Sequence, residues 1–404
     1  MNRLLEFFGL RRSIVGLLGV VVLVGLGEKM AEQFRPIYLI ALGGGILAVS
    51  IQGFLDNLIN ALYSLFGGYV THRVGTKRAL LIFNLMAIAG FAIVIAIPTW
   101  QAMLAGSVLF LSWTAVSLPA TMSLLGDVLP KNKQTMGVSV HSLVRRLPMA
   151  VGPIVGGILI DRYGEQPGMR LAFAVAMVMA LVALWFQQRM IVDAPAERGP
   201  SEGTGPGGHP LACLRHMSPE LRSLLVSDIL IRFCEQIPNA FVVVWCMTTI
   251  ASPLNGKEFG LLKAVEMMTA VLVYVPVAYL ADRGEKKPFV LATFVFFTLF
   301  PAVLLFCHSF WPLVGAFVLR GLKEFGEPTR KALILALAPS DTRAAMFGAY
   351  YLVRDSIVSL SALAGGFVWW FWGSQVNLWA AFGCGVVGTV WFAVRGRDVM
   401  SVRA

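Results

Sequence analysis

Charge is what this chain of 404 residues has little of: Asp, Glu, Lys and Arg make up 14% of it, against about 25% in ordinary soluble domains. A chain of this length folded in water would divide into two or three domains. So few charges exclude the hydrated surface such domains need. Cysteine is sparse as well. The five (Cys213, Cys234, Cys246, Cys307 and Cys384) are scattered without metal-ligand spacing, which leaves buried free thiols as the reading. The five histidines (72, 141, 209, 216 and 308) stand far apart in sequence. No Ser/His/Asp set, metal-binding spacing or phosphate-cradling loop occurs, so the chain does not read as an enzyme, and no cofactor or metal is expected. The net charge of +11 is not gathered into a basic block, and no nucleic-acid partner is expected.

What the chain does have is apolar length. It is 57% hydrophobic, with a mean hydropathy of +0.74. Runs of about 20 apolar residues recur, the length a helix needs to cross a bilayer. Twelve such spans are predicted, at 13–39, 46–71, 79–97, 101–126, 137–160, 170–190, 221–250, 258–281, 288–307, 311–337, 345–371 and 377–394. The basic start Arg3–Arg12 precedes a run containing Glu28 and no small-residue cleavage site, so it reads as a retained first span rather than a signal peptide. Lys and Arg are concentrated in one set of loops, with only Arg162, Arg170 and Lys257 in the opposite set. That asymmetry puts both termini in the cytoplasm, as for a plasma (inner) membrane protein.

Between the sixth and seventh spans lies 193–219, rich in Pro, Gly, Glu and Ser and read as a flexible cytoplasmic linker. It divides the chain into a bundle at 1–192 and another at 220–404. The two halves repeat. Glu32-Gln33 corresponds to Glu235-Gln236, Asp56 to Glu266, and His72-Arg73 to Asp282-Arg283. Pro119, Pro130, Arg145 and Gly156-Gly157 correspond at one constant offset to Pro328, Pro339, Arg354 and Gly365-Gly366. An ordered series of this length implies duplication of a six-helix unit. The expected fold is an all-α polytopic membrane protein, with twelve transmembrane helices as two pseudo-symmetric six-helix bundles.

Each second span ends in a short basic turn. The first carries Gly68, His72, Arg73, Gly75, Lys77 and Arg78; the second, shorter, carries Asp282, Arg283, Gly284, Lys286 and Lys287. This turn, with six plus six helices and a long central loop, resembles that of the major facilitator superfamily. The resemblance implies alternating access, with two halves rocking about a site near the midplane, and a conformational latch at the turn. His72 stands where the family has an acid, which puts the first latch in doubt or makes it pH-sensitive. A second partial match, Gly152–Gly157 (GPIVGG), resembles the tail of the antiporter signature of drug/proton exporters. Pro148 stands where one of its upstream glycines belongs, and plain helix packing explains the segment equally well.

An ionisable group inside a span costs about 3 kcal/mol or more, so each requires a partner, a cavity or a function. Glu28, Glu32 and Arg35 share one face of the first span. Glu32 reads either as a titratable, cation-attracting carboxylate held by Arg35 or as part of a self-neutralised ladder with Glu28 and Lys29. Glu235, with Arg232 on its face, is its repeat counterpart. Asp56, with Asn60 one turn on, and Glu266, with Lys263 one turn back, suit either a latch or proton coupling. The tenth span holds Arg320, Lys323, Glu324, Glu327, Arg330 and Lys331. Lys323–Glu327, Arg320–Glu324 and Glu327–Lys331 are spaced for pairing, with a kink expected at Pro328. Arg330 and Lys331 read as snorkelling to the cytoplasmic end. Arg354 and Asp355 are neighbours that do not face each other and require separate partners. Phe34, Tyr38, Trp113, Phe233, Phe241, Trp245, Tyr350 and Tyr351 are candidates to line a cavity.

The function this pattern supports is a proton-coupled secondary transporter, a monomer in the lipid bilayer, exporting amphiphilic or cationic small molecules in exchange for protons. The alternative is a transporter of an organic anion held by Arg35, Arg145, Arg320 or Arg354. A membrane sensor that transports nothing is a third reading.

Overall fold

The computed structural model describes residues 12–74, 76–111, 134–190, 215, 217–281, 286–338 and 343–396. Of these, 12–18, 64–73, 76, 134–144, 190, 274–275, 278–279, 281 and 343–345 are described by backbone alone. Among the described residues all regular structure is helical. The chain forms two compact units: Met1–Glu197 with Leu254–Ala264, and Arg198–Pro253 with Val265–Ala404. Among the described residues five helices are long and apolar enough to cross a bilayer; the bent pair Pro219–Asn239 and Val242–Thr249 makes a sixth if counted as one span.

The first unit holds α1 (Arg12–Glu32), α2 (Arg35–Ala41), α3 (Gly45–Val74), α4 (Thr76–Ala96), α5 (Trp100–Leu111), α6 (Gln134–Tyr163) and α7 (Glu165–Met190). The first span is therefore two helices. Pro36 lacks an N–H and its ring clashes with the carbonyl four residues back, which belongs to Glu32, and α1 stops there. The unit's interior is aromatic. Phe91 stacks on Phe110 at 5.2 Å, and Phe173 lies 6.0–6.2 Å from Phe110, Phe91 and Tyr38.

The second unit holds α8 (Pro219–Asn239), α9 (Val242–Val244) running into a π-turn at Trp245–Thr249, and most of α10 (Gly256–Ala281). It continues with α11 (Lys287–Leu305), α12 (Phe310–Leu322), α13 (Glu327–Leu337) and α14 (Arg343–Arg395). Ser218 caps α8 by accepting the Leu221 N–H at 3.2 Å. Pro238 precedes a 43° bend in the seventh span. The tenth span breaks into α12 and α13 at Lys323–Gly326, just before Pro328. α14 is two helices meeting at Gly373, whose φ of 87° and ψ of 174° suit glycine alone. Taking broken helices together, the described helices fall into six groups before residue 193 and six from residue 219 onward, in keeping with the expected order.

The duplication is visible in the packing. Gly164, which separates the fifth and sixth spans, corresponds to Gly373 in the repeat, and both have a φ of 87°. Gly156 of α6 lies so close to the Met30 carbonyl of α1 that a Cβ would collide with it; its counterpart Gly365 meets the Ile237 carbonyl of α8 in the same way. In lipid, helices associate through close van der Waals contact rather than hydrophobic burial, and glycine permits it.

Candidate functional site

In the first unit the charges gather around the break after Glu32. Lys29, one turn earlier, pairs with the Glu32 carboxylate. Arg35 does not hold that carboxylate, because the break at Pro36 turns it off the face that α1 would have given it. Its Nη1 donates instead to Asp56 Oδ1 on α3 at 3.0 Å, and its Nε to the freed Glu32 backbone carbonyl at 3.3 Å. Gln52 Nε2 donates to the same Asp56 oxygen at 2.7 Å. Asn60 donates to the Asp56 backbone carbonyl at 2.7 Å. Lys263, in the early part of α10 that belongs to this unit, lies within electrostatic reach of Glu32, and Arg145 within reach of Glu28.

The second unit holds a longer chain of charges. Arg330 grips both oxygens of Asp228 through Nη1, and donates to Glu327 from Nη2 at 2.6–2.7 Å and from Nε at 3.1 Å. Asp228 also accepts Tyr350 Oη at 3.1 Å and Arg354 Nη1 at 3.3 Å. Arg354 bonds Asp355 at 2.7–2.8 Å as well. From Glu327 the chain continues to Arg232 at 3.4 Å, to Glu235 at 2.7 Å and to Lys323 at 2.8 Å. Lys323 lies 3.5 Å and Arg320 3.4 Å from Glu266, and Arg320 Nη2 donates to Asn239 Oδ1 at 2.7 Å. Five acids thus alternate with five bases along one connected path, a neutral array inside a helix bundle.

Several expectations change here. Arg330 does not snorkel: it is 1% exposed, buried on Asp228, whereas its neighbour Lys331 is half-exposed and pairs with Glu327 at 3.4 Å. Lys323 and Arg320 reach other helices, because the break after Leu322 removes the shared face that their spacing presumed. Arg354 does reach Asp355, its long guanidinium folding back around the helix. Glu324 is half-buried beside the same break. Phe34, Tyr38, Phe241, Trp245 and Tyr350 are buried core residues, and Arg354 stacks on Tyr351 at 4.1 Å. Phe233 is partly buried, and Trp113 lies outside the described residues. Of the four arginines proposed to hold an anion, Arg35, Arg320 and Arg354 are engaged by carboxylates.

Asp228 was missed by sequence reasoning. Its signal is present: Asp228, Arg232 and Glu235 fall four and three residues apart and share one helix face.

Of the basic turns, Gly75, Asp282 and Arg283 lie outside the described residues. Gly68, His72 and Arg73 are helical, with side chains outside them. Arg78 is exposed. Lys77 Nζ donates to the Gln188 carbonyl at 3.1 Å, and Lys287 of the second turn to the Ala393 carbonyl at 3.0 Å. Both acceptors stand near the end of the sixth span of their half, where a cation meets the open carbonyls and the negative end of the helix dipole.

Repeated apolar bundles with paired charges buried inside them define an integral membrane protein. A match to the Major Facilitator Superfamily covers residues 17–253, more than half the chain, and the chain belongs to that family. Among named relatives, the multidrug resistance protein MdtG of Citrobacter koseri is 30% identical over 170 residues, 41% of this chain and 41% of that protein. The tetracenomycin C resistance and export protein of Streptomyces glaucescens is 28% identical over 137 residues, 33% of this chain and 24% of that protein. In these matches the chain spans less than half the length of its relatives. Among solved structures, the nucleoside transporter NupG superposes with a TM-score of 0.81 at 12% identity, covering 95% of this chain and 100% of that one. A peptide transporter of the POT family in complex with sulfate gives 0.75 at 15% identity, covering 95% and 93%. At such identities these structures speak for the fold alone.

Proposed function

We propose that the chain is a proton-coupled secondary transporter working by alternating access, exporting amphiphilic or cationic small molecules in exchange for protons. It works as a monomer in the inner membrane, with both termini in the cytoplasm. The similarity to proteins named for multidrug resistance and for tetracenomycin export supports the substrate class. The observation that carries the coupling assignment is the contrast between Glu32 and Glu235. Glu32 has one lysine on it and a side chain 25% exposed; Glu235 is held by both Arg232 and Lys323 and is 11% exposed. Glu32 is thus the carboxylate freer to exchange partners. Deprotonated, it attracts a cationic substrate; a proton taken from outside neutralises it, and the cation leaves. Loss of that proton to the cytoplasm restores the charge.

Engagement of Arg35, Arg320 and Arg354 by carboxylates favours this reading over capture of an organic anion. The test is transport in proteoliposomes under an imposed pH gradient, with a lipophilic fluorescent cation and an aromatic carboxylate as probes. Glu32→Gln is expected to abolish cation-coupled proton movement while folding normally by size exclusion, and Arg145→Gln and Arg354→Gln to leave it. Full proton-coupled transport by Glu32→Gln overturns the assignment. Carboxylate transport lost in Arg145→Gln turns the reading toward anions.

A further inference from the structure

The last helices of the two halves, α7 and the second part of α14, end alike. One closes on Trp185-Phe186 and the other on Trp391-Phe392, and each Trp is followed four residues later by an arginine, Arg189 or Arg395. Four residues make about one helical turn, so each Trp and its Arg share a face. Both arginines stand in the last turn of their helix and are exposed. Each lays its guanidinium over the indole, at 4.7 Å for Arg189 on Trp185 and 4.5 Å for Arg395 on Trp391.

A lysine from a neighbouring helix comes to each of these ends. Lys77, at the start of α4, holds the carbonyl of Gln188, next to Arg189; Lys287, at the start of α11, holds that of Ala393, two residues before Arg395. Trp185 is exposed and set edge-on against Phe186 at 5.0 Å. Trp391 is half-buried, its Nε1 donating to Ser223 Oγ at 3.2 Å.

These two arginines differ from those inside the bundles. Arg35, Arg320, Arg330 and Arg354 are all taken up by carboxylates. Among the described residues neither Arg189 nor Arg395 has a hydrogen bond or an ion pair. Stacking occupies the face of a guanidinium and leaves its N–H groups, which lie in the plane, directed outward at the rim. That rim takes two oxygens of a phosphate at once, and the lysine adds a second positive charge. Tryptophan at the end of a span belongs at the level of the lipid headgroups. A phospholipid brings its phosphate to that level, with its acyl chains on the apolar side of the indole. We propose that each half carries here a binding site for the headgroup of an anionic phospholipid. Arg189, Trp185 and Lys77 build the first site, and Arg395, Trp391 and Lys287 the second. Two cations against one phosphodiester select a net negative headgroup; a zwitterionic lipid brings its own ammonium into the same field. The cytoplasmic leaflet follows from the orientation proposed above, whereas the lipid class follows from the site alone.

Native mass spectrometry of the purified protein in detergent tests this with phosphatidylglycerol and phosphatidylethanolamine of the same acyl chains. Two phosphatidylglycerol molecules are expected to bind more tightly than any that follow. Arg189→Gln and Arg395→Gln should each weaken one of the two by about fivefold, and the double variant both. Trp185→Leu removes no charge and should weaken the first site about threefold, through loss of the stack. Equal affinity for the two lipids overturns the proposal. So does a double variant that loses thermal stability but no lipid affinity, the result that capping of the helix ends alone would give. Inorganic phosphate in excess is expected to leave the lipid bound; displacement by it would overturn the lipid in favour of the free anion. A micelle has no leaflets, so these outcomes are the same whichever way the chain is oriented.

Discussion

Asp228 is the residue on which the second unit's charges converge, and it gives the sharpest test at the residue scale. Three groups hold it: Arg330, Arg354 and Tyr350. Removing one partner of a buried pair leaves an uncompensated charge, which costs about 3–5 kcal/mol. Asp228→Asn is expected to lower stability by that order, measured by thermal unfolding in detergent. Arg330→Met should cost a similar amount, since it leaves the path with an excess acid. The double variant restores neutrality, so its loss should fall short of the sum of the singles by roughly 1–3 kcal/mol. Strict additivity would show that the connected path is energetically a set of separate pairs. Lys77 and Lys287 offer a milder comparison. Each caps carbonyls in a different unit, so Lys77→Ala and Lys287→Ala should each cost about 0.3–1 kcal/mol and add without coupling.

At the scale of elements, proline decides what was legible in the sequence. The kink at Pro328 follows from its clash with the Glu324 carbonyl, and the tenth span does break there. The same rule applied to Pro36 points at the Glu32 carbonyl and gives the break after α1. Without those breaks, side-chain spacing was read along helices that do not run on. That is why Arg35 was assigned to Glu32 and Lys323 to Glu327. Pairs on unbroken turns, such as Arg232–Glu235 and Glu327–Lys331, are where spacing placed them. Turns held by glycine are equally testable. A side chain at a left-handed φ costs roughly 1–2 kcal/mol, so Gly164→Ala and Gly373→Ala should each destabilise by that much. A smaller loss would mean that the turn relaxes.

At the scale of the whole molecule, the duplication was legible because it needs only residue types at constant spacing. The grouping of Leu254–Ala264 with the first unit was not, because it depends on a contact made across most of a hundred residues by Asp161 and Gly157. Matched glycines show how far the repeat extends into energetics. Gly156 and Gly365 bring the fifth span of each half against the first, with a backbone carbonyl where a Cβ would sit. In both places the obstacle is backbone, which cannot swing aside as the end of a side chain would. Gly156→Val and Gly365→Val should therefore each cost about 1–3 kcal/mol through overpacking. Hydrogen exchange then locates the damage. Gly156→Val should loosen α1 and α6 and leave the amides of α8 and α14 as in the parent; Gly365→Val should do the reverse. Equal loosening of both sets by either variant would mean that the halves, though duplicated in sequence, unfold as one cooperative body.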